Sequence, residues 1–158
     1  MSGTIQRLGA VGICLALYAL HVEHEAKRSS ENGLKYQALC DISSIGASCT
    51  AVFTSEWGRL MSKLGIVPKD GLLDLPNAAY GAAYYLLVML YPYVPLGRPL
   101  LLLGTLVSFA TTATLAYALA FILGDVCVVC ISTYFINTAL LVLVLRGALA
   151  GGKKAKHA

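Results

Sequence analysis

From Asn77 to Gly147 the only ionisable side chains other than tyrosine and cysteine are Arg98, Asp125 and Arg146. A chain with so few charges over so long a run cannot keep it wetted. The run has room for three lengths of about 20 apolar residues, each enough for a helix to cross a bilayer core. The whole chain is 58% hydrophobic and 13% charged, against roughly a quarter charged in soluble domains. These proportions exclude a soluble enzyme and a disordered tail. The net charge of +4 does not point to nucleic acid. Lys153, Lys154 and Lys156 crowd the end of the chain, and no basic stripe is interleaved with aromatics.

The pattern predicts an all-α membrane protein, a four-transmembrane-helix bundle in one domain over 1–158. Its spans are expected at about 8–24, 77–95, 99–123 and 126–147, with a loop or cap domain at 25–76 and a tail at 148–158. The first span is short and follows Arg7, so a cleaved signal peptide is the rival reading. The lack of a small-x-small site before the charged residues from His21 to Lys27 favours a retained helix. Loop 25–76 carries six of the eight acidic residues, Cys40 and Cys49, and turn signals at Asn32-Gly33 and Asp70-Gly71. Basic residues tie at six on each predicted face. The crowding of Arg146, Lys153, Lys154 and Lys156 assigns the tail to the cytosol. In the third span Gly104, Ser108, Thr112, Ala116 and Ala120 recur every four residues. Such a seam lets helices pack closely in lipid.

Chemistry is concentrated in sulfur. Cys127-Val-Val-Cys130 opens the fourth span directly after Asp125, a good helix N-cap that would put Cys127 in the first turn. There the dipole favours thiolate, the form that attacks disulfides and electrophilic carbon. Cys40 and Cys49 lie in the loop on the same predicted face; alone they read as a structural clamp, and with the helical pair as a relay for thiol–disulfide exchange. Cys14, mid-span, reads as a packing residue. Asn77, Tyr80, Gly81 and Tyr84 share one face of the second span, and Tyr134 lies one turn beyond Cys130. An amide and a phenol beside a thiol pair can polarise carbonyl oxygens of a quinone-like ring, and tyrosines can flank it. The plainer reading makes Asn77 a cap and the tyrosines an interfacial belt.

Taken in order, Leu17-Tyr18-Ala19-Leu20-His21, Ala38-Leu39-Cys40-Asp41, Val52-Phe53, Trp57-Gly58-Arg59, Pro76-Asn77 with Tyr80-Gly81, and the run from Cys127 to Tyr134 resemble the signatures of the vitamin K epoxide reductase family, animal type. The resemblance covers about Leu15 to Asn137. It implies a four-helix enzyme of the endoplasmic reticulum membrane, both termini cytosolic, that reduces vitamin K 2,3-epoxide to the quinone and the quinone to the hydroquinone. Cys127 and Cys130 match its active pair, with Cys130 facing the substrate and Cys127 resolving. Cys40 and Cys49 match the loop pair that takes electrons from a luminal thioredoxin-like protein, with Cys49 exchanging with Cys127. Asn77 and Tyr134 match residues that hydrogen-bond the substrate; Val52, Phe53, Trp57, Tyr80, Tyr84 and Tyr85 match the pocket wall and its cap. No tightly bound cofactor and no metal are implied; an external dithiol is, and coumarin-type inhibitors are expected ligands.

The likeness has departures. The Cys40–Cys49 spacing is one residue longer than in vertebrate members, Tyr80 and Tyr84 stand where phenylalanine is usual, and Glu56 replaces a basic residue. The hydroxyls added at Tyr80 and Tyr84 need partners if buried. Lys154-Ala155-Lys156-His157-Ala158 resembles a K-x-K-x-x retrieval signal. Two other readings remain: a quinone-coupled thiol oxidase that promotes disulfide formation, and, of another class, a claudin-like four-span structural protein. In the latter a tryptophan motif precedes the loop cysteines, whereas Trp57 follows Cys49 here. Four cysteines could also hold zinc, but one pair in a helix start and the other on a loop make a poor cage.

Overall fold

The computed structural model describes residues 2–42 and 46–155. Helices account for nearly all the regular structure; among the described residues there is no strand, only isolated bridges at Ile42–Ala47 and Ala47–Val126. In order they are α1 (Ser2–Glu31), α2 (Cys49–Thr54), a 3₁₀ turn (Glu56–Arg59), α3 (Leu60–Lys63), α4 (Asn77–Leu90), α5 (Gly97–Ala118) continuing into a π-helical turn (Leu119–Leu123), and α6 (Val128–Ala155). Among the described residues, three helical stretches are long and apolar enough to cross a membrane: Gly3–Glu31, Gly97–Leu123 and Val128–Leu149. The third expected span, 99–123, falls within the helical stretch Gly97–Leu123.

Two spans differ from expectation, each for a local reason. The first helix passes residue 24 and runs to Glu31. A helix of 30 residues is about 45 Å long, so its polar last turns rise beyond an apolar core of about 30 Å. Nothing breaks it before Asn32-Gly33. There Gly33, at φ +71°, lets Leu34 N–H reach Ser29 C=O at 2.8 Å and Gly33 N–H reach Ser30 C=O at 3.1 Å. That nested pair is the usual glycine stop of a helix. The second span ends at Leu90, not 95, because Pro92 lacks the N–H that would continue the ladder. At 14 residues α4 is a shorter apolar helix, roughly 21 Å long. The expected tail at 148–158 also starts late, since α6 continues to Ala155. Residues 156–158 of the retrieval-like signal lie outside the described residues, as do 43–45, where the longer Cys40–Cys49 spacing falls.

Helix α1 packs closely along α4. Gly9 and Gly12 make that approach possible: a Cβ on Gly12 would stand 2.4 Å from the Tyr85 ring, and one on Gly9 2.9 Å from Val88. Ile5, Ala16, Tyr85, Val88, Leu101, Ile136, Leu140 and Val144 form the bundle core. A second cluster at one end joins Ala19, Cys49, Val52, Leu119, Cys127 and Val129. The cap is thus seated on the bundle by sulfur-bearing residues. Outward-facing Leu103, Phe121 and Phe135 are exposed, as a lipid-facing surface requires.

Candidate functional site

The start of α6 is built around Cys127, which is the N-cap itself and not a first-turn residue. Asp125 lies outside the helix, because Val126 is drawn into a bridge with Ala47. Ser48 N–H donates to Val126 C=O at 3.0 Å, and this main-chain bond seats the loop cysteines against the helix. Cys127 Sγ accepts the Cys130 N–H at 3.2 Å, in the manner of a capping side chain. Both pairs are disulfides, Cys40–Cys49 with Cα atoms 5.9 Å apart and Cys127–Cys130 with Cα atoms 5.2 Å apart. Across them the sulfurs of Cys127 and Cys49 approach to 3.9 Å, and both residues are fully buried. Cys40 is half-buried, and the Tyr18 hydroxyl lies 3.8 Å from its sulfur.

Asp41 fixes the loop pair. Its carboxylate accepts from Thr50 N–H at 3.0 Å, Thr50 Oγ1 at 2.5 Å and Ala38 N–H at 3.0 Å. Partial burial opposes its charge, but the hydrogen bonds from Thr50, Ala38 and Cys49 outweigh that and hold its pKa below the usual carboxylate value. Cys40, Asp41 and Cys49 are close enough together to suggest metal ligands. With both sulfurs joined to one another and Asp41 engaged, the trio suits redox exchange.

Cys130 opens on a cavity of about 610 Å³ between α1, α4, α5, α6 and the cap. Every other pocket residue expected from the sequence lines it: Val52, Phe53, Trp57, Asn77, Tyr80, Tyr84, Tyr85 and Tyr134. Cys127, Cys49 and Cys40 do not; they stand behind Cys130 as a chain of sulfurs. The Tyr134 hydroxyl has no hydrogen-bond partner among the described residues. Asn77 is more committed than a pure substrate ligand: its Oδ1 accepts Leu60 N–H at 2.8 Å and its Nδ2 donates to Trp57 C=O at 2.5 Å. One amide N–H is left over. The extra hydroxyls find partners, Tyr80 on Leu73 C=O at 2.6 Å and Tyr84 on Thr105 Oγ1 at 3.1 Å.

Two expectations are corrected. Cys14 is unpaired but exposed on α1, so it faces outward and packs no core. The small-residue seam of α5 does not run as a close helix contact throughout. Gly104, Ser108 and Thr112 wall the cavity, and Ala120 is exposed; small side chains there leave volume open.

Sequence reasoning passed over several residues. Asn137 lines the cavity, accepts from Tyr85 Oη at 2.9 Å and donates to Thr112 Oγ1 at 2.8 Å. Its place seven residues after Cys130 was the available signal. Glu23, buried on α1, pairs with Lys27 and lies 3.6 Å from Arg59, which also meets Asp74 at 3.3 Å. A backbone bond from Asp70, a side-chain bond from Ser62 and the charge of Arg59 lower the Asp74 pKa. Arg59 thereby ties the cap to α1.

Comparison with known proteins gives a consistent answer. The Vitamin K epoxide reductase family matches residues 4–145. The chain is 39% identical over 136 residues to Vitamin K epoxide reductase complex subunit 1 of Rattus norvegicus and 41% identical over 136 residues to that of Mus musculus. Each alignment covers 84% of this chain and 81% of the relative.

Proposed function

The chain belongs to the vitamin K epoxide reductase family, and from that premise we propose that it reduces vitamin K 2,3-epoxide to the quinone, and the quinone to the hydroquinone, by dithiol–disulfide exchange. It is a membrane oxidoreductase of helical build that draws on a thiol reductant. The observation that carries the relay is the 3.9 Å approach of the Cys49 and Cys127 sulfurs, with Cys130 on the cavity side.

Electrons enter at Cys40. A donor thiolate attacks its sulfur, the Cys40–Cys49 bond breaks, and Cys49 leaves as thiolate. Cys49 then attacks Cys127, freeing Cys130 as a thiolate toward the cavity. The donor's second thiolate attacks the donor's first sulfur, leaving the donor as a disulfide and freeing Cys40 as a thiolate; Cys40 then attacks Cys49, re-forms the Cys40–Cys49 bond and releases Cys127 as a thiolate. Cys130 adds to a ring carbon of the substrate while Asn77 and Tyr134 donate to its oxygens; Cys127 attacks the Cys130 sulfur and expels the ring. In sum, the epoxide and two thiols give quinone, one disulfide and water; the quinone and two thiols give hydroquinone and one disulfide. The unpartnered Tyr134 hydroxyl and the spare Asn77 N–H support these roles. Val52, Phe53, Trp57, Tyr80, Tyr84 and Tyr85 enclose the ring, and coumarin-type inhibitors occupy the same space. Leu103 and Val107 line the cavity and are also exposed on α5, which favours entry of a lipidic substrate from the bilayer.

The protein acts as one membrane domain in the endoplasmic reticulum, termini cytosolic, and a luminal thioredoxin-like protein supplies electrons; the basic residues after the last span support this orientation. Cys130→Ala is expected to abolish epoxide turnover even with dithiothreitol. Cys40→Ala is expected to lose activity with a protein dithiol and keep it with dithiothreitol. Full epoxide reduction by the Cys130 variant overturns the scheme.

A further inference from the structure

The turn that presents Cys40 has an unusual tip. Asp41 N–H donates to Ala38 C=O at 3.0 Å, so Ala38–Asp41 is a tight turn with Leu39 and Cys40 at its corners. Its base is fixed: Ala38 is buried, and Asp41 is held by Thr50. Turn corners favour glycine, proline, asparagine, aspartate or serine. Here one corner is a leucine that is 92% exposed, and Ile42, just past the turn, is 39% exposed. Lone exposed leucines are ordinary; this one adjoins Cys40, the half-buried member of the loop pair, while Cys49 is sealed against Cys127.

We infer that Leu39, with Ile42 beside it, is the docking contact for the electron-donating protein, a thioredoxin-fold dithiol whose reactive cysteine is rimmed by apolar side chains. The inference rests on the reading that electrons enter at Cys40. An attacking thiol must come within bonding distance of the Cys40 sulfur, so the donor's surface covers the neighbouring corner of the turn. Covering Leu39 removes its side chain from water and fixes the angle of attack on Cys40. The donor thiolate forms a bond to Cys40 sulfur as the Cys40–Cys49 bond breaks, with the electron pair leaving on Cys49. The donor's second thiolate then attacks its own sulfur, so the donor ends as a disulfide and Cys40 as a thiolate. A bilayer is the poorer occupant: exposed Lys35 and Gln37 lead into the turn, and the charged Asp41 carboxylate lies at its base, a costly group to carry into lipid.

The test measures epoxide reduction by the full chain in lipid nanodiscs, driven either by reduced thioredoxin or by dithiothreitol. Leu39→Asp is expected to raise KM for thioredoxin by roughly fivefold or more, the loss of one central interface contact, with dithiothreitol kinetics unchanged. Leu39→Met is expected to restore the thioredoxin KM, and a non-reducing peptide map should show the Cys40–Cys49 disulfide intact in both variants. An unchanged thioredoxin KM in Leu39→Asp overturns the docking assignment. A loss with dithiothreitol in nanodiscs that is absent in detergent assigns Leu39 to the membrane instead, and also overturns it. Cys40→Ala run alongside separates the two ideas: thioredoxin-driven turnover in that variant removes the entry route itself, whatever Leu39 does.

Discussion

Asn77 shows how one side chain serves two masters. Its amide clips the cap, through Leu60 N–H and Trp57 C=O, to the first turn of α4, and the same side chain lines the cavity with one N–H left over. Asn77→Ala is expected to raise the barrier for epoxide reduction by about 1–3 kcal/mol, the loss of one buried hydrogen bond in the reacting complex. The two roles separate by spectroscopy, because Trp57 is the sole tryptophan. A shifted Trp57 emission in the unliganded variant reports the broken clip. Unchanged kcat and KM would remove Asn77 from the substrate's environment. At this scale the sequence was informative where chemistry follows helical spacing: Cys130, Tyr134 and the α4 face of Asn77, Tyr80 and Tyr84 all reach one cavity. It was silent on Asn77 as a clip and on Glu23–Arg59. Those contacts join residues 17 to 36 positions apart through a loop whose path no periodicity records.

Among the elements, α1 and α4 form the tightest pair, and glycine sets their spacing. Lipid provides no hydrophobic drive between helices, so association rests on fit. Gly12 faces the ring of Tyr85, whose hydroxyl holds Asn137. Gly12→Leu is expected to push α4 outward and break the Tyr85–Asn137 bond, lowering stability by about 1–3 kcal/mol as overpacking does. Gly3→Ala is the matched control, since nothing lies within 4 Å of a Cβ there. Thermal unfolding in detergent should show a drop for the first and none for the second; equal melting temperatures would show that α1 and α4 do not need the close approach. The ends of these helices were less legible than their existence. Apolar length marks where a helix leaves lipid, and α1 continues in water to Glu31 because only Gly33 stops it. Helix α6 starts later than a capping Asp125 suggests because Val126 is taken by the loop.

Across the whole molecule, the same bridge that shortens α6 decides what the enzyme can do. The Ala47–Val126 contact holds a water-exposed loop against the start of a membrane helix, with Cys49 and Cys127 sealed between them. On the proposed relay, the electrons of a protein donor, too large to enter the cavity, pass to Cys130 through this sulfur contact. Removing Cys130 tests this arrangement without any substrate. In Cys130→Ser, Cys127 has no partner on its own helix, and at 3.9 Å its thiolate is positioned to attack Cys49. The Cys40–Cys49 bond then breaks, Cys49–Cys127 forms, and Cys40 is left as a thiolate. A non-reducing peptide map is expected to recover linked Cys49 and Cys127 peptides, with Cys40 open to alkylation while Cys127 is protected. If Cys40–Cys49 persists and Cys127 alkylates instead, the two sulfurs do not exchange, and the loop is a clamp with no part in electron transfer.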